Sequence, residues 1–145
     1  MPSALVSAEV VIGCALVLVA LFLTWTFVRR SMICRGRTVL VCGWRGADAS
    51  VWQAGLLGLE GEQLEWFPLS GVRIQPRFCW DRTALEVDAP RPVPSTTGLG
   101  IDGSAFALTC RYGGALFDIA LDDPSYTALR SWLDSVPPGY NVNVA

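Results

Sequence analysis

Val10-VIGCALVLVALFLTWTF-Val28 is a run of nineteen residues without a charge, and Arg29-Arg30 follow it at once. Coiled as a helix it is about 28 Å long, close to the roughly 30 Å hydrocarbon core of a bilayer. Leu5 to Ala8 can add another turn, with Glu9 near the headgroups. The basic residues around it, Arg29, Arg30, Arg35 and Arg37, all lie on its C-terminal side. The positive-inside rule then puts residues 1–9 outside the cell, 10–28 across the cell membrane, and the rest of the chain in the cytoplasm. A cleaved signal peptide fits less well, because the run has no basic n-region, exceeds a usual h-region and lacks an A-x-A-like site. Val11-Ile12-Gly13-Cys14 superficially matches a lipoprotein box, but the apolar run continues for fourteen residues past Cys14. Trp25 suits the aromatic belt at the inner interface. Trp25, Arg29, Arg30, Arg35 and Arg37 are therefore the expected membrane-interface residues, the arginines in a basic juxtamembrane segment, 29–37, beside anionic headgroups.

All eleven basic residues are arginine, and the chain has neither Lys nor His. That removes the P-loop lysine, the Schiff-base lysine, the commonest general base and the commonest metal ligand. The charge is also divided along the chain. Residues 1–37 carry four Arg and one Glu, net +3, whereas 38–145 carry seven Arg and twelve acids, net −5. An acidic domain argues against nucleic acid as a partner, since that binding depends on neutralising phosphates. Cys14, Cys34, Cys42, Cys79 and Cys110 are an odd number without a C-x-x-C pair. A cytoplasmic domain keeps them reduced, and they read as small buried hydrophobes rather than disulfide partners or zinc ligands.

After the arginines the apolar period changes from helical to two. Thr38-VLVCGW-Arg45, Ser50-VWQAGLLG-Leu59 and Gln63-LEWF-Pro68 read as three strands, and Val72-Arg73-Ile74-Gln75 and Ala84-Leu85-Glu86-Val87-Asp88 as two more. Residues 105–112 and 115–121, joined by Gly113-Gly114, read as a hairpin, because that pair supplies the positive φ of a tight turn. Asp122 or Asp123 is then an N-cap, with Pro124 in the first turn of a helix whose stripe is Tyr126, Leu129, Leu133 and Val136. Pro137-Pro138-Gly139 stops it, and 140–145 is a tail. Residues 38–139 thus form one cytosolic β domain. Seven antiparallel strands closed by one C-terminal amphipathic helix is the order of a pleckstrin-homology-like split barrel; a small β-sandwich with an added helix reads similarly.

The motifs that suggest chemistry fail on context. Gly98-Leu99-Gly100-Ile101-Asp102-Gly103 matches G-x-G-x-x-G, but it leads from a Pro-rich loop into a strand, not from a strand into a helix. Asp122-Asp123 is explained by its place at a helix start. The first strand-to-strand loop, where a lipid-reading barrel would need several cations, holds Arg45 against Asp48. Arg73 and Arg77 alternate along one expected strand and, with Arg82, compose a basic patch. Trp80, between Cys79 and Asp81 near an expected turn, is the tryptophan of the domain expected to be most exposed, with core packing as the other and leading reading of it. Arg45, Arg73, Arg77, Arg82 and Trp80 are accordingly the candidate partner or lipid surface.

Several blocks also carry a resemblance: Arg29-Arg30, Arg35-Gly36, Gly43-Trp44-Arg45, Gln63-LEWFPLS-Gly71, Arg82-TALE-Val87 and Ser131-WLDSVPP-Gly139. Together with the single span they resemble the actinobacterial family filed as domain of unknown function 2550, over nearly the whole chain up to Gly139. The resemblance implies a single-pass membrane protein with a cytosolic β domain, and it supplies no catalytic motif to transfer. The expected function is a non-enzymatic membrane-anchored interaction module, with another membrane protein as partner and no cofactor, metal or small-molecule substrate. A peripheral reader of anionic lipid headgroups is the alternative.

Overall fold

The computed structural model describes residues 2–93, 99, 101 and 104–135. The glycine string around 98–103, the Pro-Pro-Gly stop and the tail lie mostly or wholly outside the described residues. The chain opens with one helix, α1 (Pro2–Cys34), which is about 50 Å long at 1.5 Å per residue. It is long and apolar enough to cross a membrane, and its apolar stretch is not covered by the rest of the chain. A helix apolar all round is one that suits a core or lipid, and the described residues do not cover this one. The helix also outruns the nineteen-residue apolar stretch at both ends.

Eight strands follow among the described residues: β1 (Thr38–Gly46), β2 (Gln53–Glu60), β3 (Gln63–Pro68), β4 (Phe78–Asp81), β5 (Glu86–Val87), β6 (Arg91–Val93), β7 (Ala105–Tyr112) and β8 (Ala115–Asp122), and then α2 (Asp123–Asp134). They form one antiparallel sheet in the order β4-β3-β2-β1-β8-β7-β5, with β6 paired to β7. The sheet curls on itself, because Trp80 on β4 stacks on Phe117 of β8 at 4.5 Å although three strands separate theirs in the order. Trp44, Trp66 and Phe78 continue that line of rings at 4.8–5.8 Å inside the half-barrel. Leu57, Leu64, Leu108, Ile119 and Leu121 fill the rest of the core, and Leu129 of α2 closes it. This is a pleckstrin-homology-like half-barrel with its C-terminal helix, as expected from the strand and helix order.

Local chemistry explains the boundaries. Gly113 and Gly114 stand at φ 55° and 84°, the left-handed pair that a two-residue hairpin requires, and they join β7 to β8 in register from Tyr112↔Ala115 to Ala105↔Asp122. The Asp122 carboxylate accepts from Ser125 N at 3.0 Å and caps α2, whose first turn holds Pro124. One expected strand is displaced. Val72–Gln75 is an exposed loop, and the fourth strand is Phe78–Asp81, paired Trp66↔Phe78 and Leu64↔Trp80 with β3. Both segments alternate, but two aromatic rings bury far more surface on the inner face than Val72 and Ile74 can. A single 3-10 turn, Arg82–Ala84, occupies the start of the expected fifth strand, and β6 is an addition to the seven expected.

Candidate functional site at the helix–domain junction

The last turns of α1 do not lead into a free linker. Arg29 and Ile33, four residues apart, lie on the same face of the helix and both point at the domain. Ile33 is 2% exposed and packs with Leu56 and Phe67, and with Val39 at the margin. Phe67 lies on the outer face of β3, opposite in pleat to Trp66, and would face water without α1. This small outer core fixes the helix end to the sheet. Arg29 is 6% exposed; its Nε donates to the Arg73 carbonyl at 2.6 Å and its Nη2 to the Pro68 carbonyl at 3.1 Å. The basic juxtamembrane segment 29–37, expected beside lipid headgroups, is therefore helical to Cys34 and partly built into the fold.

The segment that receives Arg29 is the β3–β4 loop, residues 69–77. Leu69 N donates to Ala54 O at 3.0 Å and Arg77 N to Trp66 O at 2.8 Å, so both loop ends are tied to the sheet. Between them Leu69, Val72 and Ile74 are exposed, as are Arg73 and Arg77. The Arg77 guanidinium lies 5.6 Å from the Phe78 ring centroid. Helix end and loop together enclose a cleft of about 570 Å³, lined by Arg29, Ser70, Arg73, Gln75 and Arg77 among others.

The remaining candidates are placed differently from the sequence reading. Arg82 is 8% exposed and structural: its Nη1 donates to Trp132 O at 3.1 Å and Ser135 Oγ at 3.2 Å, and its guanidinium lies 5.1 Å from the Trp132 ring. It is a cation at the C-terminus of α2, where the helix dipole favours one. Trp80 is 6% exposed, a core ring of β4 and not a surface residue. The expected turn around it is strand, which explains the reversal. Trp25, on α1, is the exposed tryptophan, at 44%. Arg45 donates to Asp118 at 2.6 Å and covers Trp52 at 4.4 Å, so the first loop offers no free cation. Arg37 is bound to Glu60 at 2.8 Å and to Glu65. Arg30 and Arg35 are exposed.

Around Asp118 the structure makes a small polar network. Burial alone would raise the Asp118 carboxyl. The hydrogen bonds from Arg45 and Thr109, with the charges of Arg45 and Arg91, outweigh it and hold the group below the usual carboxylate value. Of the five cysteines, Cys42 and Cys110 are buried while Cys14, Cys34 and Cys79 are exposed, which corrects the reading of all five as core. Burial pushes the Cys42 thiol up to about 12, and burial with the charges of Asp118 and Asp88 does the same to Cys110. No group of three or more metal-ligating side chains occurs among the described residues.

The family model described as a protein of unknown function, DUF2550, matches residues 16–139. The chain belongs to that family. The match begins inside α1 and runs past α2, so helix and β domain are one family unit. No curated protein matches the chain. Among solved structures, the pleckstrin homology domain of ArhGAP27 is similar at 16% identity and a TM-score of 0.42, over 67% of this chain and 96% of that one.

Proposed function

We propose that the protein is a non-enzymatic membrane-anchored interaction module. In this reading residues 10–28 of α1 cross the cell membrane once with residues 1–9 outside. The β domain, 38–139, stands in the cytoplasm against the inner leaflet and engages another membrane protein. The observation that carries the reading is the junction: Arg29 and Ile33 dock the end of an uncovered apolar helix into the domain, leaving no free spacer between them. A domain held this way is restricted to a thin layer beside the bilayer, where even a weak contact with another membrane protein becomes effective. Reading the domain as a peripheral sensor of anionic headgroups draws on a different observation, the exposed arginines beside that junction.

The test is gentle detergent extraction of the full-length protein, affinity purification and mass spectrometry of what accompanies it. Co-purification of one membrane complex near equal stoichiometry is the expected result; recovery of the bare chain refutes a stable protein partner. Labelling of Cys34 in intact cells with a membrane-impermeant maleimide tests orientation, and reaction from outside overturns it.

A further inference from the structure

The eleven arginines fall into two groups. Arg37, Arg45, Arg82, Arg91, Arg111 and Arg130 each form an ion pair with a carboxylate. Arg29, Arg30, Arg35, Arg73 and Arg77 form none with the described residues. These five are not scattered: Arg29 and Arg30 lie on the last turns of α1, Arg35 directly follows its end, and Arg73 and Arg77 lie on the loop that receives it. Three of them, Arg29, Arg73 and Arg77, line the same cleft.

Arg29 makes the arrangement pointed. A guanidinium carries five N–H donors, and the two carbonyls it meets accept two bonds and bring no charge. At 6% exposure it is a desolvated cation without a counter-ion, a costly state unless an anion completes it. Ser70 and Gln75 add neutral hydrogen-bonding groups to the wall. The level of the cleft follows from the helix. Arg29 is the residue after Val28, so it stands about 1.5 Å along the axis beyond the apolar run, in the headgroup layer of any bilayer that run spans. Leu69, Val72 and Ile74, exposed by 52%, 60% and 37%, interleave with the arginines of the loop. Apolar side chains alternating with cations suit the boundary between headgroups and acyl chains.

We propose that the cleft between the end of α1 and the β3–β4 loop binds the phosphate of an anionic phospholipid from the adjoining leaflet. Arg29, Arg73 and Arg77 supply the charge, and Leu69, Val72 and Ile74 rest on the acyl boundary. The proposal rests on the anchored topology above. It gives that topology a ligand: the domain reads the leaflet through the seam between anchor and sheet, not through the β1–β2 loop, beside which Arg45 of β1 is already paired with Asp118.

The full-length protein in a mild neutral detergent is titrated with phosphatidylglycerol, phosphatidylcholine or inorganic phosphate, and bound ligand is counted by native mass spectrometry. One phosphatidylglycerol per chain, retained at least tenfold better than phosphatidylcholine and not displaced by millimolar phosphate, is expected. Arg73→Gln with Arg77→Gln, both exposed, should abolish that preference, since each guanidinium contributes roughly fivefold to retention of the anionic lipid. Arg30→Gln with Arg35→Gln removes the same charge from the same region but outside the cleft, and should leave most of the preference intact. Equal loss in the two double variants would show diffuse attraction and overturn the site. So would equal retention of the two lipids, or displacement by inorganic phosphate. Loss of a co-purifying protein in the Arg73/Arg77 variant, with lipid retention unchanged, would assign the cleft to that protein and overturn it too. Alkaline carbonate extraction separates the two claims: release of the chain from membranes refutes the anchor, whereas an anchored chain without lipid preference refutes the cleft alone.

Discussion

Replacing Arg82 by Met removes a charge and five donors while keeping most of the buried stem, and the structure fixes what is lost. Two charge-assisted hydrogen bonds disappear, to Trp132 O at 3.1 Å and Ser135 Oγ at 3.2 Å, together with the cation over the Trp132 ring at 5.1 Å. At about 1.5 kcal/mol for each bond and about 1 kcal/mol for the ring contact, the gross loss is about 4 kcal/mol. Two effects reduce it. The Trp132 carbonyl keeps Ser135 N and Ser135 Oγ as donors, so no acceptor is stranded. A buried cation also no longer has to be desolvated, which offsets about 2 kcal/mol. The ion pair with Glu62 is long, at 3.8 Å, and adds little. The net expectation is a loss of about 2 kcal/mol, or roughly 8–16 °C in Tm for a domain of this size. Urea titration of the full chain in detergent, followed by tryptophan fluorescence and circular dichroism, measures it. Arg130→Met is the comparison: its pair with Asp134 is exposed on both sides, and it should cost under about 0.5 kcal/mol. An Arg82 variant within 0.5 kcal/mol of the wild type, or no better separated than that from the Arg130 variant, would refute the assignment of Arg82 as the clamp of α2.

Three further outcomes follow from the same contacts. A Cβ added at Gly55 would lie 2.5 Å from Trp66 Nε1 and 2.7 Å from the Phe67 carbonyl, so Gly55→Ala should destabilise the domain by about 2 kcal/mol in the same titration. Because the Asp118 carboxyl is depressed in the folded state, its stabilisation is full above the ordinary carboxylate value near 3.8 and disappears as pH falls through the lower folded value. Asp118→Asn should flatten the acid limb of a stability–pH curve, and an unchanged limb would show that the network carries no linkage. Finally, a soluble maleimide at pH 8 should label Cys34 and Cys79 in the native protein. Cys42 and Cys110, buried with thiols near 12, should react only after unfolding, as peptide mapping would show.

Much of the fold was legible because its signals are local. Leu64 and Trp66 alternate with Glu65, Gly113-Gly114 can hardly be anything but a tight turn, and Asp122 with Pro124 marks a helix start; each depends on neighbours within a few residues. The fourth strand was not legible, because Val72–Gln75 and Phe78–Asp81 both alternate and pairing with β3 across the half-barrel decides between them. The arginines failed for a related reason. Arg45 meets Asp118 and Arg82 meets Trp132 only after distant strands are in register, so a paired arginine and a free one look alike in the sequence. The cleft brings together residues that the sequence reading placed in two separate sets, Arg29 with the membrane interface and Arg73 and Arg77 with the partner surface. Arg29 and Ile33 at a spacing of four did carry a signal: the helical spacing continues past the end of the apolar run, into the residues read as a basic juxtamembrane segment.

The docking of the end of α1 onto the sheet through Arg29 and Ile33 makes the chain a lever. A domain of about a hundred residues is roughly 30 Å across. Were the span to tilt by about 20°, as membrane helices commonly do, the far edge of a rigidly attached body that size would swing by about 10 Å. A bilayer that thickens or thins, and so alters the tilt of its occupant, would change how high above the leaflet that edge rides and which neighbours it can touch. In such a device the thickness of the lipid film, and not a soluble messenger, would set the pose of the domain.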